Sequence, residues 1–300
     1  CTEEICIPIL EKKSKLKLNI DFFCGYSPER INPGDKEKKI NEIVKVVSGS
    51  NINTLKFISK IYKEIITAGI YEADTIKIAE ASKLIENTQR DVNIGLMNEF
   101  ATILNKLDIN TSKVLEAANT KWNFLDFKPG LVGGHCIGVD SYYLINKSEQ
   151  NQITPNIVKS ARKVNENMGH YIGKSFLKKI SVNNVSKNRV LIFGYTFKEN
   201  ISDIRNTKVS DIVSYLIKNN VNVSIYDPWL TNENKTELKN FEIIEEFPDY
   251  LFNGIIIAVA HEKFRKIGLK KIKQLVYPNS PIYDVKSLFL SSADDEIMYL

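Results

Sequence analysis

Arg189-Val190-Leu191-Ile192-Phe193-Gly194 is the stretch that decides the fold. An unbroken apolar run that ends on a glycine reads as a strand buried on both faces, the signature of a parallel sheet. Outward from it, Val209 to Leu216 keeps helical spacing, and Val221-Asn222-Val223-Ser224-Ile225-Tyr226-Asp227-Pro228 reads as a second strand. Ile255-Ile256-Ile257-Ala258-Val259-Ala260 is a third and Pro281-Ile282-Tyr283-Asp284 a fourth. Strands that alternate with helices predict an α/β fold with a doubly wound parallel sheet. Such sheets bind ligands at the carboxyl ends of their strands. Gly194 to Arg205, Asp227, His261 and Asp284 to Lys286 therefore share one rim. Gly194-Tyr195-Thr196-Phe197 supplies only the first glycine of G-x-G-x-x-G, so this sheet is not an ordinary dinucleotide site.

Upstream the pattern is helical. Leu55, Ile58, Ile61, Tyr62, Ile65 and Ile66 predict a helix over 54–68 that stops at Gly69. A longer pattern runs from Asp74 to about Leu107, with Ile76, Ala79, Leu84, Val92, Leu96, Phe100 and Leu104 as its apolar stripe. Helices of that length serve as spines or oligomer interfaces. Thr111 opens a short helix, 119–134 is a loop rich in aromatics and glycine, and 154–180 is helical again. Residues 1–33 read as a short helix starting at Thr2 and a strand at Phe22 to Tyr26, closed by the turn Asn32-Pro33-Gly34-Asp35. Asn183 to Asn188 is a polar linker.

The 300 residues are long for one core, and two or three domains are expected. A net charge of +5 with no dense Lys/Arg block suits a few anion pockets and argues against a nucleic-acid footprint. No apolar run is long enough for a membrane span, and neither a span nor a signal peptide is expected. Four cysteines are too few for a disulfide framework in a chain this long and fit a reducing cytoplasm. No Cys/His spacing resembles a metal site.

The chemistry centres on Gly133-Gly134-His135-Cys136-Ile137-Gly138-Val139-Asp140. The glycines let backbone approach a ligand, and a thiol placed there is a candidate nucleophile. Asp140 returns to the same face if a helix starts near Cys136. A structural thiol in a tight turn is the plain alternative. A cysteine hydrolase is another: His135 adjoins Cys136 and is poorly placed as its base, which leaves His170 and His261 as partners. Lys83 and Asn87 lie four apart on the long helix, with Arg90 close to the same stripe. Glu29 follows a proline at a strand end, and Lys198 and Arg205 offer cations on the rim of the later sheet.

Taken together these residues resemble the nucleotide-sugar 6-dehydrogenase family, closest to its UDP-N-acetylhexosamine branch. The resemblance rests on Tyr26 to Gly34, Ala81 to Asn87, Thr120 to Phe124, Pro129 to Leu144, Gly194 to Asn206 and Tyr226-Asp227-Pro228. It implies three parts: 1–45 as the remnant of an NAD-binding Rossmann domain, 46–182 as a long-helix central dimerisation domain, and 183–300 as a Rossmann-like UDP-sugar-binding domain. Because the chain opens on Cys1, the resemblance also implies an upstream glycine fingerprint. A UDP-sugar-binding dimer module, silent in catalysis by itself, is then the alternative to the working enzyme.

The family oxidises a sugar C6 alcohol twice with NAD, through a cysteine thioester, to supply acidic sugars for surface polysaccharides. The resemblance implies Cys136 as nucleophile, Lys83 and Asn87 at the oxyanion and a water, Asp140 in proton transfer, and Glu29 at the hydrolytic water. It implies Arg30, Ile31, Arg90, Gly130, Gly133, Phe197, Lys198 and Lys286 as UDP-sugar contacts, and Arg205 as a contact to NAD. Lys121 stands near the place where some relatives use an arginine that reaches the partner subunit; a lysine can neutralise a phosphate there without gripping it at two points. In the UDP-glucose branch a lysine stands at Val139 and a glutamate at Pro33, which argues against UDP-glucose. Ser141 replaces a common proline, with a small backbone effect expected.

Overall fold

The computed structural model describes residues 1–32, 34, 39–180, 188–290 and 297–300. Pro33 and Asp35 of the expected turn, residues 183–187 of the expected linker and the boundary at 182/183 lie outside the described residues. The chain forms two compact units, Cys1–Asn87 and Thr88–Leu300.

In the first unit a π-helical turn, Thr2–Cys6, leads into α1 (Ile7–Ser14). β1 (Gly25–Tyr26), β2 (Lys45–Gly49), α2 (Ile52–Lys63) and β3 (Ile70–Glu72) follow. The three strands form one sheet in the order β1-β2-β3, antiparallel and then parallel. Val46 and Val47 are buried in its middle strand, so the boundary expected at 45/46 falls inside β2. The helix expected to reach residue 68 ends at Lys63. Thr67 and Ala68 instead donate their amides to the Asn41 carbonyl at 2.9 and 3.0 Å, which pulls the chain off the helical path.

α3 (Ile76–Lys106) is one unbroken helix of 31 residues, as its periodicity predicts. Its expected apolar stripe is buried only at the start, where Ile76 and Ala79 are covered. Leu96 and Phe100 are 43% and 40% exposed, whereas Thr88, Asp91, Asn98 and Ala101 are buried. Polar and small residues recurring at three- and four-residue spacing carry the inward face.

The second unit continues with α4 (Thr111–Ala118), α5 (Ile137–Gln150) and α6 (Asn156–Leu177). A sheet domain follows: β4 (Arg189–Phe193), α7 (Val209–Lys218), β5 (Asn222–Tyr226), α8 (Asn232–Glu237), β6 (Glu242–Ile244), β7 (Gly254–Ile257), α9 (Glu262–Ile267), α10 (Leu269–Lys273), β8 (Ile282–Asp284) and β9 (Ile297–Tyr299). The strand order is β6-β5-β4-β7-β8-β9, all parallel. This is the doubly wound order, which reverses between β4 and β7. The expected four strands are present, and short edge strands β6 and β9 extend the sheet to six. Val190, Leu191, Ile192, Phe193, Ile255, Ile256 and Ile257 are fully buried, each worth about 1.5–3 kcal/mol over an exposed side chain. α7 presents Val209, Ile212, Val213 and Leu216 to the core, at i, i+3, i+4 and i+7.

One buried group gathers the strand ends at the reversal point. The Asp227 carboxylate accepts the Tyr195 and Thr196 amides at 2.6 and 3.0 Å and His261 Nε2 at 3.1 Å. His261 Nδ1 accepts the Asn200 amide at 3.0 Å, so the ring proton sits on Nε2 and both nitrogens are engaged. Burial works to raise the Asp227 carboxyl, but His261 and the two amides outweigh it and hold it below the usual carboxylate range. Gly194 turns the chain at φ +86°, where a Cβ would stand 2.5 Å from Val259 Cβ.

A depressed carboxyl contributes stability that is present above its unfolded value, about pH 4, and is lost as pH falls through the folded value. Thermal melts should show a steep loss below about pH 4. Asp227→Asn should cost about 2–4 kcal/mol at pH 7 and flatten that acid slope. Equal slopes for parent and variant would contradict the assignment.

Candidate functional site

The loop that carries Cys136 lies against the rim of the six-stranded sheet. A Cβ on Gly133 would stand 2.8 Å from the Asn206 carbonyl oxygen and 3.1 Å from Phe197 Cβ. Gly134, at φ +82°, has the Phe197 ring where its Cβ would be, at 2.8 Å. Only glycines let this backbone press on that aromatic ring. Asn206 Nδ2 donates to the Gly134 carbonyl at 3.3 Å. Cys136 is the N-cap of α5, free and partly exposed. Its carbonyl accepts the Val139 and Asp140 amides at 3.0 and 2.8 Å, so the helix starts where expected and places Asp140 one turn in.

Gly133, Thr196, Phe197, Lys198, Val259 and Lys286 line a crevice at the point of strand-order reversal. Gly130 lies against one of these residues: a Cβ there would stand 3.0 Å from Lys286 Nζ. Beside it, Arg205 grips Asp203 through Nε at 3.0 Å and Nη2 at 2.5 Å. His135 Nδ1 lies 3.9 Å from the same carboxylate. The Arg205 hydrogen bonds hold Asp203 below the usual carboxylate range. Asp203, and to a lesser extent the Cys136 sulfur, push the Arg205 guanidinium upward.

The loop is tied down from beneath by a buried network that sequence reasoning missed. Asp91, fully buried on α3, accepts Arg162 Nη1 at 2.6 Å, Asn165 Nδ2 at 2.7 Å and Ser141 Oγ at 2.8 Å. Burial pushes its carboxyl upward, against the pull of Arg162. Arg162 Nη2 donates to Glu166 at 2.7 Å, and Glu166 pairs with Lys208. Asn165 Oδ1 accepts Asn98 Nδ2 at 2.8 Å, and Asn98 brackets Gly130 by accepting its amide at 2.8 Å and donating to its carbonyl at 3.0 Å. Ser141 thus does more than relieve a backbone: its hydroxyl serves a buried charge. The available signal was Thr88, Asp91, Gly95 and Asn98, a small and polar stripe interleaved with an apolar one.

In the first unit Glu29, Arg30, Ile31 and Lys83 come together. Glu29 Oε1 accepts the Arg30 and Ile31 amides, each at 2.7 Å, and Lys83 Nζ donates to the Glu29 carbonyl. Arg30 donates to the Val44 carbonyl at 2.9 Å and pairs with Glu86 at 2.9 Å. Asn87 and Arg90 follow on α3, the last exposed. Lys121 is exposed in the turn after α4. With both ring nitrogens engaged, His261 is no base for Cys136. His170 sits edge-on to Tyr215.

This arrangement is that of a known group of proteins. Residues 77–167 match the central domain of the UDP-glucose/GDP-mannose dehydrogenase family, and residues 191–290 match that family's UDP binding domain. UDP-N-acetyl-D-glucosamine 6-dehydrogenase of Pseudomonas aeruginosa is 47% identical over 296 residues, covering 98% of this chain and 70% of that protein. Protein CapL of Staphylococcus aureus is 45% identical over 295 residues, 97% of this chain and 69% of that protein. Among solved structures, the UDP-N-acetyl-mannosamine dehydrogenase Cap5O from S. aureus superposes with a TM-score of 0.79 at 27% identity, over 99% of this chain and 68% of that one. Sequence motifs, fold and relatives agree, and the chain belongs to the UDP-glucose/GDP-mannose dehydrogenase family.

Proposed function

We propose that this protein oxidises the C6 alcohol of a UDP-N-acetylhexosamine to the uronic acid, with NAD as acceptor, for surface polysaccharide synthesis. The observation that carries this reading is the seat of the Cys136 loop on Phe197 at the strand-order reversal, where nucleotides bind doubly wound sheets. Lys198 and Lys286 line that crevice, and lysine is suited to a diphosphate. Phe197 and Gly133 line its wall, and we assign Gly130, Arg30, Ile31, Arg90 and Lys121 to the same ligand on family resemblance. The four cysteines are all unpaired, which suits a reducing cytoplasm. No described helix is long and apolar enough to cross a membrane.

Arg205 fits one phosphate of NAD: its side chain is 65% exposed, and Asp203 fixes the guanidinium's direction. When bound, NAD would supply the hydride acceptor for both oxidation stages. The chain's own part is to hold the carbon between them. Cys136 sulfur adds to the C6 aldehyde, so the half-oxidised sugar stays tethered. On family resemblance we assign Lys83 and Asn87 to the oxyanion, Asp140 to the proton transfer and Glu29 to the water that hydrolyses the thioester. The C–S bond then breaks, freeing the thiol and the carboxylate. Lys83 is partly buried and anchored on the Glu29 backbone, which supports a paired role for the two.

α3 supports a homodimer. Leu96, Phe100, Ile103 and Leu107 are 43%, 40%, 50% and 61% exposed and share one face, an apolar stripe a second copy would cover.

Replacing Cys136 by Ser should stop release of the uronic acid while UDP binding survives; full conversion by the variant, followed by mass spectrometry of the product, would refute the covalent scheme. Sedimentation should give twice the 34.2 kDa chain mass for the parent and the monomer mass for Phe100→Asp. A monomeric parent, or an unaltered variant, would remove the dimer.

A further inference from the structure

We propose that Asp91 is a positioning residue for Cys136, acting as one anchor for both ends of the segment from Gly130 to Ser141. The inference deepens the reading of Cys136 as nucleophile and rests on it for its purpose, though not for its geometry. At the C-terminal end of the segment, Ser141 Oγ donates directly to Asp91 Oδ2 at 2.8 Å. At the N-terminal end, Gly130 is held at both its amide and its carbonyl by Asn98, which donates to Asn165 Oδ1 at 2.8 Å. Asn165 in turn donates to Asp91 Oδ1 at 2.7 Å and to the Asp91 carbonyl at 2.9 Å. The two ends therefore hang from one carboxylate, and Cys136 sits in the span between them.

The anchor is stiff because it is dry. Asp91, Asn98, Ser141 and Asn165 are fully buried, and Arg162 is 2% exposed. In a low-dielectric setting each donor has no water to exchange with, so the network holds a single arrangement. Arg162 completes it from below: Nη1 donates to Asp91 Oδ1 at 2.6 Å and lies 3.5 Å from where a Cβ on Gly138 would stand. α5 thus rests on the guanidinium two residues past the thiol, and Ser141 fixes how far the helix can rotate about its axis. A hydrophobic contact would bury the helix equally well but would leave rotation and sliding free. The position of the sulfur at the amino end of α5, and so its approach to an electrophile, follows from that fixed rotation.

The test reads the thiol itself, without substrate or cofactor. The parent protein, Ser141→Ala, Ser141→Thr and Asp91→Asn are treated with iodoacetamide at neutral pH, and modification of the Cys136 peptide is followed by mass spectrometry. Cys24, in the other unit, is the internal standard. Loss of the hydroxyl in Ser141→Ala should slow Cys136 alkylation about three- to tenfold, the worth of one hydrogen bond, with Cys24 unaltered. Ser141→Thr, which keeps the hydroxyl, should restore the parent rate. Asp91→Asn should be at least as slow as Ser141→Ala, and if it fails to fold, the two Ser141 variants still decide. An unaltered or faster Cys136 rate in Ser141→Ala, or a Ser141→Thr protein as slow as the alanine variant, overturns the proposal. Slowed alkylation combined with a Cys136→Ser protein that still makes uronic acid would keep the anchor and remove the nucleophile.

Discussion

A fully buried ion pair organises the helical part of the second unit. Removing Asp91 would leave the buried Arg162 guanidinium with Glu166 as its remaining partner, and removing Arg162 would leave the Asp91 carboxylate with neutral donors alone; either loss costs several kcal/mol. Such a pair is a poor way to gain stability, since apolar residues of the same volume would do as well. What it offers is a unique arrangement. Each of its oxygen and nitrogen partners has a direction, and those directions set where α3, α5, α6 and the loop at Gly130 stand.

That constraint explains why the later part of α3 wears Leu96 and Phe100 outward. A helix that must carry Asp91 and Asn98 inward at helical spacing has little inward surface left for Leu96 and Phe100. The same arrangement delivers Cys136 to the rim of the six-stranded sheet, where Gly133 and Gly134 can lie against Phe197. The rim has its own polar clasp: Asp227 collects the amides after β4 and the imidazole after β7, holding the crevice mouth at the strand reversal. Two buried carboxylates thus do comparable work, one beneath the thiol loop and one beneath the crevice at the strand reversal.

Much of this was legible in the residues. The run from Arg189 to Phe193 announced a parallel strand because burial on both faces requires unbroken apolar residues, and α3 announced its length through its period. The edge strands β6 and β9 did not, because three residues with charged or polar neighbours carry too little pattern. The end of α2 was missed since Thr67 and Ala68 answer to the Asn41 carbonyl, a partner distant in sequence. For the candidate site, Cys136, its glycines and the start of α5 could be read locally. Asp91, Arg162 and Asn165 could not, since polar residues on helices usually face water and only the fold reveals that these do not.

The central question is whether the Cys136 sulfur and the crevice at the strand reversal take the same nucleotide sugar. Alkylation of Cys136 measured across a titration with UDP-N-acetylglucosamine tests this most directly, with Cys6 and Cys24 as unprotected standards in the same molecule. Saturable protection confined to Cys136 is the expected result. A Cys136 that reacts at its free rate when the nucleotide sugar is saturating would mean that the thiol faces some other task.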